Sequence, residues 1–176
     1  GTYTWNNAWY ASGLTYSDGT AQEQMSQTRD ARGYLTQVSY QGTHSSLQRS
    51  VSESYGYDAI GRLTQRQAQK QSGIAPTQTF TTTYGYDVGN NKLYETQQEG
   101  DEITTQKYVY NGLNQLTSVQ IGQGAYSAVS TWIETGSYTY DAFGNRISET
   151  QYAYSFEAGN NQLHKQVEYV YDKANQ

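Results

Sequence analysis

The side chains best suited to catalysis in this chain are two histidines, His44 and His164, and 16 acidic residues. General acid–base chemistry needs such groups to converge with matched pKa values. His44 has neutral neighbours in the sequence, and both histidines fall at or near expected turns and strands, so we interpret them as ordinary surface residues. A hydrolase that depends on His44 or His164 is the enzymatic alternative. We expect no catalytic residues and no enzyme activity.

The carboxylates do not change this expectation. A pair of them would suit a glycosidase, but several aspartates recur at turn positions, and residues 99–102 have the composition of a solvated turn. No calcium loop, phosphate loop or zinc pattern occurs in the sequence. The chain also has no cysteine, which removes thiolate ligands and disulfides. We therefore predict no metal site and no cofactor.

Aromatic residues are the stronger indication of binding, because the chain has 19 tyrosines and 3 tryptophans. Their rings combine a flat apolar face with a hydrogen-bonding edge, which suits sugars and protein partners. The repeated motif described below does not include Trp5, Trp9, Tyr10 or Trp132. These four are the candidate contacts for a glycan or a receptor, whereas most motif tyrosines are expected to pack within the fold.

Composition excludes several classes of protein. The net charge of −5 and the pI near 4.9 argue against a nucleic-acid partner, which would require a basic face. No run of about 18 apolar residues is present, so no membrane insertion is expected. Aggregation-prone polar and aromatic low complexity is the structureless alternative. We predict instead a sheet with a tyrosine face and a glutamine and threonine cover, stabilised by ring packing around a thin core.

One motif recurs along the chain and is best preserved at residues 55–64, Tyr-Gly-Tyr-Asp-Ala-Ile-Gly-Arg-Leu-Thr. A degenerate copy starts at Asp30, and the motif Asp or Asn returns every 24 to 31 residues. Self-similarity at such a period indicates an array of one supersecondary unit. The repeated residues are Tyr55, Tyr57, Asp58, Gly61, Arg62 and Leu63; Tyr84, Tyr86 and Asp87; Tyr108, Tyr110 and Asn111; Tyr138, Tyr140, Asp141 and Gly144; and Tyr169, Tyr171 and Asp172.

Each copy predicts a β-hairpin. Tyr-x-Tyr places two rings on one face of a strand, the Asp carboxylate begins a turn, and Gly61 supplies the positive φ that ends it. A three-residue loop with a glycine bulge then sets Asp58 opposite Arg62 and Tyr57 opposite Leu63. In the copy with an amide, Asn111 faces the neutral Gln115. In two copies a loop longer by one residue is expected, and the predicted pairs are Asp87 with Lys92, Tyr86 with Leu93, Asp141 with Arg146, and Tyr140 with Ile147.

A second set of turns alternates with the motif turns and predicts a meander. These turns are expected at residues 41–43, 72–76, 99–101, 122–124 and 157–161, with a further Asp18-Gly19 hairpin near the N-terminus. The strands between them run to about 9–12 residues, and a sheet of so many long strands is expected to curl or close. Residues 125–140 are predicted to form one bulged strand.

The predicted fold class is therefore all-β: a meander of long antiparallel hairpins in a strongly curved or spiralling sheet, as an open shell or barrel-like wall. Residues 1–26 are expected to form irregular N-terminal strands, and residues 27–176 the hairpin array. The last copy stops within its hairpin, from which we expect the chain to be a segment of a longer array.

These residues resemble the tyrosine–aspartate (YD) repeats of the Rhs family, whose pattern is matched in full at residues 55–64 and with substitutions elsewhere. The resemblance covers about residues 27–176. It implies long hairpins wound into a hollow shell, as in bacterial polymorphic toxins, insecticidal toxin complexes and teneurins. It also implies a secreted or surface-exposed bacterial protein whose wall encloses or displays a toxin domain. The implied partners are flanking repeats or domains of the same parent protein, and the alternative is an adhesion module that binds a glycan or a cell-surface receptor.

Overall fold

The structure is a computed structural model that describes residues 2–5, 11–17, 21–44, 47–155 and 160–171. These residues form β-strands and connecting turns without a helix, so none of them provides the long apolar helix that a membrane crossing requires. Each strand pairs with its neighbours in chain order. The strands are β1 (Thr2–Trp5), β2 (Ala11–Ser17), β3 (Ala21–Arg29), β4 (Leu35–His44), β5 (Leu47–Tyr57), β6 (Leu63–Ser72), β7 (Gln78–Tyr86), β8 (Lys92–Glu99), β9 (Glu102–Tyr110), β10 (Leu116–Gln123), β11 (Ile133–Tyr140), β12 (Arg146–Ser155) and β13 (Asn160–Glu168).

This order confirms the predicted all-β meander of antiparallel hairpins. From β3 onward the strands contain 8 to 11 residues, which is long for globular proteins, where five or six is usual. The length follows from the spacing of turn residues, because few glycines and no proline interrupt the extended segments. The expected curl of the sheet and the division at residue 26 stay predictions.

The motif turns share one backbone geometry. In the best-preserved copy the Asp58 N–H donates to the Arg62 carbonyl at 3.0 Å, and the Gly61 N–H donates to the Asp58 carbonyl at 3.1 Å. The same two bonds recur in the turns that begin at Asp30, Asp87, Asn111 and Asp141. This is the type I turn with a bulge that the sequence predicted.

All five of these turns have the same length, so the two longer loops expected from the sequence are wrong. The fourth turn residue has a positive φ in every case: Gly33, Gly61, Asn90, Asn114 and Gly144. Asparagine is the residue after glycine that most readily adopts the left-handed region. Asn90 therefore takes the place of the glycine, and no extra residue is needed.

The second set of turns is confirmed in part. The turns at residues 72–76 and 99–101 separate β6 from β7 and β8 from β9. The predicted turn at residues 41–43 is wrong, since these residues lie inside β4. Gly42 lies within the strand at a position where a side chain would not fit. The Tyr40 hydroxyl is only 2.7 Å from the place that a Cβ of residue 42 would take. Most of the turn at 157–161 and the Asp18-Gly19 pair lie outside the described residues.

The segment 125–140 agrees with its prediction in part. It contains one strand, β11, which is bulged as predicted: Val119 and Gln120 of β10 pair with Gly136 and Glu134, so that Thr135 is the extra residue. The strand is shorter than expected, because only residues 133–140 belong to it. The surplus residues form an irregular loop over residues 124–132, which we call the aromatic loop. Hydrogen bonds from the Ala128 and Val129 N–H groups to the Ala125 carbonyl give this loop a single tight turn.

The chain divides into two compact units, Gly1–Thr83 with Gln97–Glu102 and Tyr84–Thr96 with Ile103–Gln176. In the first unit, rows of cross-strand neighbours on one face contain serine, threonine and glutamine alone. The rows are Gln24, Gln41, Ser50 and Gln71; Ser26, Ser39, Ser52, Gln69 and Thr79; and Thr28, Gln37, Ser54, Gln67 and Thr81. The opposite face carries aliphatic, aromatic and charged residues, as in the row Gln27, Val38, Glu53, Ala68 and Phe80.

The core is as thin as the composition predicted. Among the residues whose side chains are described, Ala68 is the buried hydrophobic residue, with 5% of its surface exposed. The other buried side chains are polar, namely Thr96, Thr105, Ser118 and Glu149. Cross-strand hydrogen bonds and ring packing must therefore contribute much of the stability that apolar burial supplies in most domains.

Candidate functional site

The motif aspartate is a clamp within its own turn. Asp58 Oδ1 accepts the N–H groups of Ile60 at 3.1 Å and Arg62 at 2.9 Å, and Oδ2 accepts Arg62 Nε at 2.6 Å. The predicted opposition of Asp58 with Arg62, and of Tyr57 with Leu63, is confirmed. A carboxylate held in this way is part of the scaffold.

Two of the predicted clamp pairs are wrong. The partner of Asp87 in the turn is Asn91, whose N–H and Nδ2 lie 2.8 and 2.9 Å from the carboxylate. Asn145 plays the same part for Asp141, at 2.8 and 2.9 Å. The turn fixes the partner as the fourth residue after the aspartate, because that residue's N–H must reach Oδ1.

The cations that were expected in those clamps lie on the other face. Strand alternation places the fifth residue after the aspartate beside the tyrosines, so Lys92 and Arg146 pair with Glu95 and Glu149 at 2.8 and 2.9 Å. Tyr140 is opposite Arg146 and not Ile147. By the same turn geometry Lys92, and not Leu93, takes the place opposite Tyr86.

The neutral copy at Asn111 shows that hydrogen bonds alone can close the clamp, without an ion pair. Asn111 Oδ1 accepts the N–H groups of Leu113 and Gln115, both at 3.0 Å, and its Nδ2 donates to Gln115 Oε1 at 2.7 Å. The turn therefore closes without any formal charge.

The charged clamps predict acid sensitivity. The hydrogen bond from Arg62, with the turn N–H groups, holds the pKa of Asp58 below its usual range, and Asn145 does the same for the pKa of Asp141. A lowered pKa gives stability above the pKa of the unfolded chain, about 3.9 for aspartate, and that stability is lost as the pH falls through the folded value. We expect the urea midpoint to be level at neutral pH and to fall below about pH 4.

The control for this prediction comes from the chain itself. Asp141→Asn copies the neutral turn at Asn111, so this variant should show a smaller loss between neutral and acid pH than the unmodified protein. An equal loss in both proteins would show that Asp141 does not contribute to the acid sensitivity.

In four hairpins the second motif tyrosine joins the hairpin to the one before it. The hydroxyl donates to the backbone carbonyl of the residue that follows the preceding motif turn. The observed bonds are Tyr57 to Leu35 at 2.9 Å, Tyr110 to Lys92 at 3.0 Å, Tyr140 to Leu116 at 2.7 Å and Tyr171 to Arg146 at 2.8 Å. We call these bonds the tyrosine staples.

The first motif tyrosine lies beneath a cation in two hairpins of the second unit. Lys92 Nζ is 4.6 Å from the ring centre of Tyr108, and the Arg146 guanidinium is 4.9 Å from that of Tyr138. Both distances fall within the range of a cation–π interaction. These tyrosines therefore pack within the sheet surface, as expected of most motif rings.

Glu149 of β12 connects the Arg146 cation to Lys165 of β13. Its side chain is 5% exposed and accepts hydrogen bonds from Arg146, Gln151, Lys165 and Tyr169 at 2.7 to 3.1 Å. The bond from Lys165 holds the pKa of Glu149 below its usual range, against the opposing effect of burial. With four donors on its two oxygens, this carboxylate is a structural centre and not a free acid.

The aromatic loop is the main feature that the repeats do not share. Tyr126 of the loop stacks on Tyr94 of β8 with ring centres 4.3 Å apart, and it packs against Trp132 at 5.8 Å. Lys107 of β9 lies 5.3 Å from the Trp132 ring centre. Tyr94 in turn occupies the space over Gly85, where a Cβ would be 2.0 Å from its ring.

Two further contacts hold the aromatic loop on the sheet. Val129 lies over Gly122 of β10, where a Cβ would meet its side chain at 2.3 Å. Thr105 donates its hydroxyl hydrogen to the Gly124 carbonyl at 2.7 Å, lies 2.8 Å from the Thr96 hydroxyl and is fully buried. The aromatic loop thus packs on Gly122 directly and on Gly85 through Tyr94, and it is bonded to Thr105, which contacts Thr96.

The structure places the predicted contact residues as follows. Trp132 is half-buried between Tyr126 and Lys107, so much of its ring serves the loop. Trp5 lies in β1 with its side chain outside the described residues, and Trp9 and Tyr10 lie outside them altogether. Sequence reasoning missed Tyr94, Tyr126 and Lys107, although the unusual length of the segment after β10 marked this region.

No catalytic constellation emerges in the described parts of the chain. His164 is an exposed residue of β13, and the side chain of His44 lies outside the described residues. Within the described ranges no group of three His, Asp or Glu residues could hold a metal ion.

Comparison with known proteins does not identify a related protein of known function. The sequence matches no family model and no curated protein. One solved structure, a protein of unknown function from Bacteroides fragilis NCTC 9343, aligns over 89% of this chain and 91% of its own, at 13% identity and a TM-score of 0.23.

Proposed function

We propose that the chain is a structural segment of a secreted or surface-exposed Rhs-type YD-repeat protein. In this role the hairpins form a wall that encloses or displays another domain, and the chain performs no chemistry. Its partners are flanking repeats or domains of the same parent protein. The observation that carries the proposal is the set of tyrosine staples.

The staples support a wall because they act between repeats and use only groups that each repeat already has. Two hairpins are seen to supply both groups: Tyr110 and Tyr140 donate, and the carbonyls after their turns, those of Leu116 and Arg146, accept. Further hairpins of the same kind can be added along the array, because each new interface would use the same donor and acceptor groups. Repeat arrays of this kind derive their stability from nearest-neighbour interfaces.

The composition of the sheet faces also supports the proposal. The serine, threonine and glutamine rows of the first unit carry no charge and no large apolar surface. Such a face neither attracts a particular charge nor drives hydrophobic docking. These are suitable properties for a surface that shields a second domain.

The staples can be tested by deleting one hydroxyl at a time. Tyr140→Phe and Tyr110→Phe each lose an inter-hairpin hydrogen bond, which should reduce the free energy of unfolding by about 0.5–1.5 kcal/mol. The Leu116 and Lys92 carbonyls belong to the preceding hairpins, so amide hydrogen exchange should speed up in two neighbouring hairpins for each variant. Urea unfolding and exchange mass spectrometry measure both effects.

Tyr108→Phe is the matched control, because its hydroxyl donates to Gln106 Oε1 on the same strand at 3.0 Å. It should change exchange within its own hairpin alone. If Tyr140→Phe and Tyr110→Phe behave like this control, the hairpins are not coupled through the staples, and the argument for a wall loses its basis.

Location is a separate part of the proposal. In the bacterium that makes this protein, protease treatment of intact cells should release peptides of the hairpin array, or the array should be found in the medium. Release only after the cells are lysed would contradict a secreted or surface-exposed wall.

The adhesion alternative predicts instead a glycan or receptor response that disappears with Trp132→Ala. The packing of Trp132 against Tyr126 makes this the weaker proposal.

A further inference from the structure

Two hairpins supply a side-chain acceptor for the first motif tyrosine from the residue two positions before it, and β11 has no side chain at that position. In β5 that residue is Glu53, which accepts the Tyr55 hydroxyl at 2.5 Å. In β9 it is Gln106, which accepts the Tyr108 hydroxyl at 3.0 Å. In β11 it is Gly136, which has no side chain to offer.

The Tyr138 ring therefore lies over the glycine. Its hydroxyl is 3.1 Å from the place where a Cβ of residue 136 would be. Among the described residues this hydroxyl has no hydrogen-bond partner. Tyr138 and the buried Gly136 both line a groove of about 350 Å³.

Further polar groups surround this groove. Gln106 uses its oxygen for Tyr108, which leaves the Nε2 amide hydrogens available, and Gln151 uses Nε2 for Glu149, which leaves its oxygen available. His164, exposed on β13, and Tyr152 complete the polar rim. A phenol, two amides and an imidazole therefore line one groove.

The rest of the lining sets the character of a ligand. Val119 and Ile121 of β10 provide an apolar wall, and no charged side chain lines the groove in the described part of the chain. Glu149 lies nearby but is buried and satisfied by its own donors. A small neutral molecule with hydroxyl groups and an apolar face fits such a lining, whereas an ion would lose its solvation without a counter-charge.

We propose that this groove binds a neutral pyranoside, with the Tyr138 hydroxyl, Gln106 and Gln151 as hydrogen-bonding groups for the sugar hydroxyls. The aromatic and aliphatic side chains contact the C–H face of the ring. The proposal does not depend on the wall function and concerns residues other than the tryptophans singled out above.

The test is an NMR titration of the whole chain with the methyl glycosides of glucose, galactose, mannose and N-acetylglucosamine. At least one should give saturable shifts of the amide signals of residues 136, 138 and 151. N-acetylneuraminic acid is the charged comparison and should give none, because the groove has no cation to receive its carboxylate. A panel without saturable shifts, or shifts confined to the aromatic loop, would overturn the proposal.

Two variants show whether the groove is the site. Gly136→Gln introduces the residue that β9 has at this place. Its Cβ would lie 3.1 Å from the Tyr138 hydroxyl, so the new side chain should occupy that hydroxyl, obstruct the groove and abolish binding. Tyr138→Phe keeps the ring and should weaken binding by roughly three- to tenfold, the value of one hydrogen bond. Tyr55→Phe, at the same motif position in another hairpin, should bind as the unmodified protein does.

Gly136→Gln must first show an unchanged circular dichroism spectrum. If it is folded and still binds with full affinity, the groove is not the site. Tyr138→Phe provides the same decision without altering the backbone, since unchanged affinity in that variant also contradicts the assignment.

Discussion

Replacing Gly61 by alanine is expected to destabilise the first unit by roughly 2–3 kcal/mol. Gly61 has a φ of +89°, and an L-residue in the left-handed region costs about 1–2 kcal/mol. Its new Cβ would also lie 2.2 Å from the Tyr34 hydroxyl, which must move away. Tyr34 stacks on Tyr57 with ring centres 5.0 Å apart, a contact worth about 0.5–1.5 kcal/mol. Urea unfolding followed by circular dichroism measures the total.

The other motif turns supply matched controls for this effect. Gly33 has a φ of +88° and nothing within 4 Å of a Cβ, so Gly33→Ala shows the backbone strain alone. Gly144 has a φ of +89° and only the flexible end of Gln115 nearby, at 3.2 Å. Gly61→Ala should exceed Gly33→Ala by about 1 kcal/mol. Equal losses would mean that the Tyr34–Tyr57 stack contributes no stability.

Replacing Gly85 by alanine is expected to dislodge the aromatic loop. The new Cβ would lie 2.0 to 2.7 Å from three atoms of the Tyr94 ring, so the whole ring must shift. Overpacking of this kind costs about 1–3 kcal/mol, and the Tyr94–Tyr126 stack adds about 0.5–1.5 kcal/mol. We expect a loss of roughly 2–3 kcal/mol after the entropic benefit of removing a glycine. Trp132 fluorescence, measured with Trp5 and Trp9 replaced by phenylalanine, should shift to the red as Tyr126 moves.

Gly56 is the control, since it occupies the same place between two motif tyrosines. A Cβ there would find its nearest neighbour at 3.5 Å, an ordinary contact. Gly56→Ala should therefore be neutral or stabilising by up to about 1 kcal/mol. If Gly85→Ala is equally harmless and Trp132 keeps its spectrum, Tyr94 does not hold the loop through Gly85.

The repeat itself was open to prediction because its information is local. An aspartate that bonds N–H groups two and four residues later, and a residue able to adopt positive φ, determine the turn within five residues. Tyr-x-Tyr then fixes which face of each strand carries the rings. From these the all-β meander, its antiparallel order and the pairing of Asp58 with Arg62 followed directly.

The predicted pairs that are wrong depend on the length of the turn. Pairing of Asp87 with Lys92 and of Asp141 with Arg146 requires a loop longer by one residue, and the observed turns do not have it. A surface ion pair contributes little, whereas the turn N–H groups must find an acceptor. Asn91 and Asn145, which stand one residue earlier, satisfy that need and leave the cations to the tyrosine face.

Only the tertiary structure shows what lies between one repeat and the next. Three contacts depend on the register between strands: the Tyr140 hydroxyl reaches the Leu116 carbonyl, Tyr94 covers Gly85 beneath the aromatic loop, and Val119 lies beside Gly136 in the groove that Tyr138 lines. Register follows from the sum of many weak cross-strand contacts. The sequence of a single motif determines its own turn, but it does not determine how the hairpin pairs with the next one.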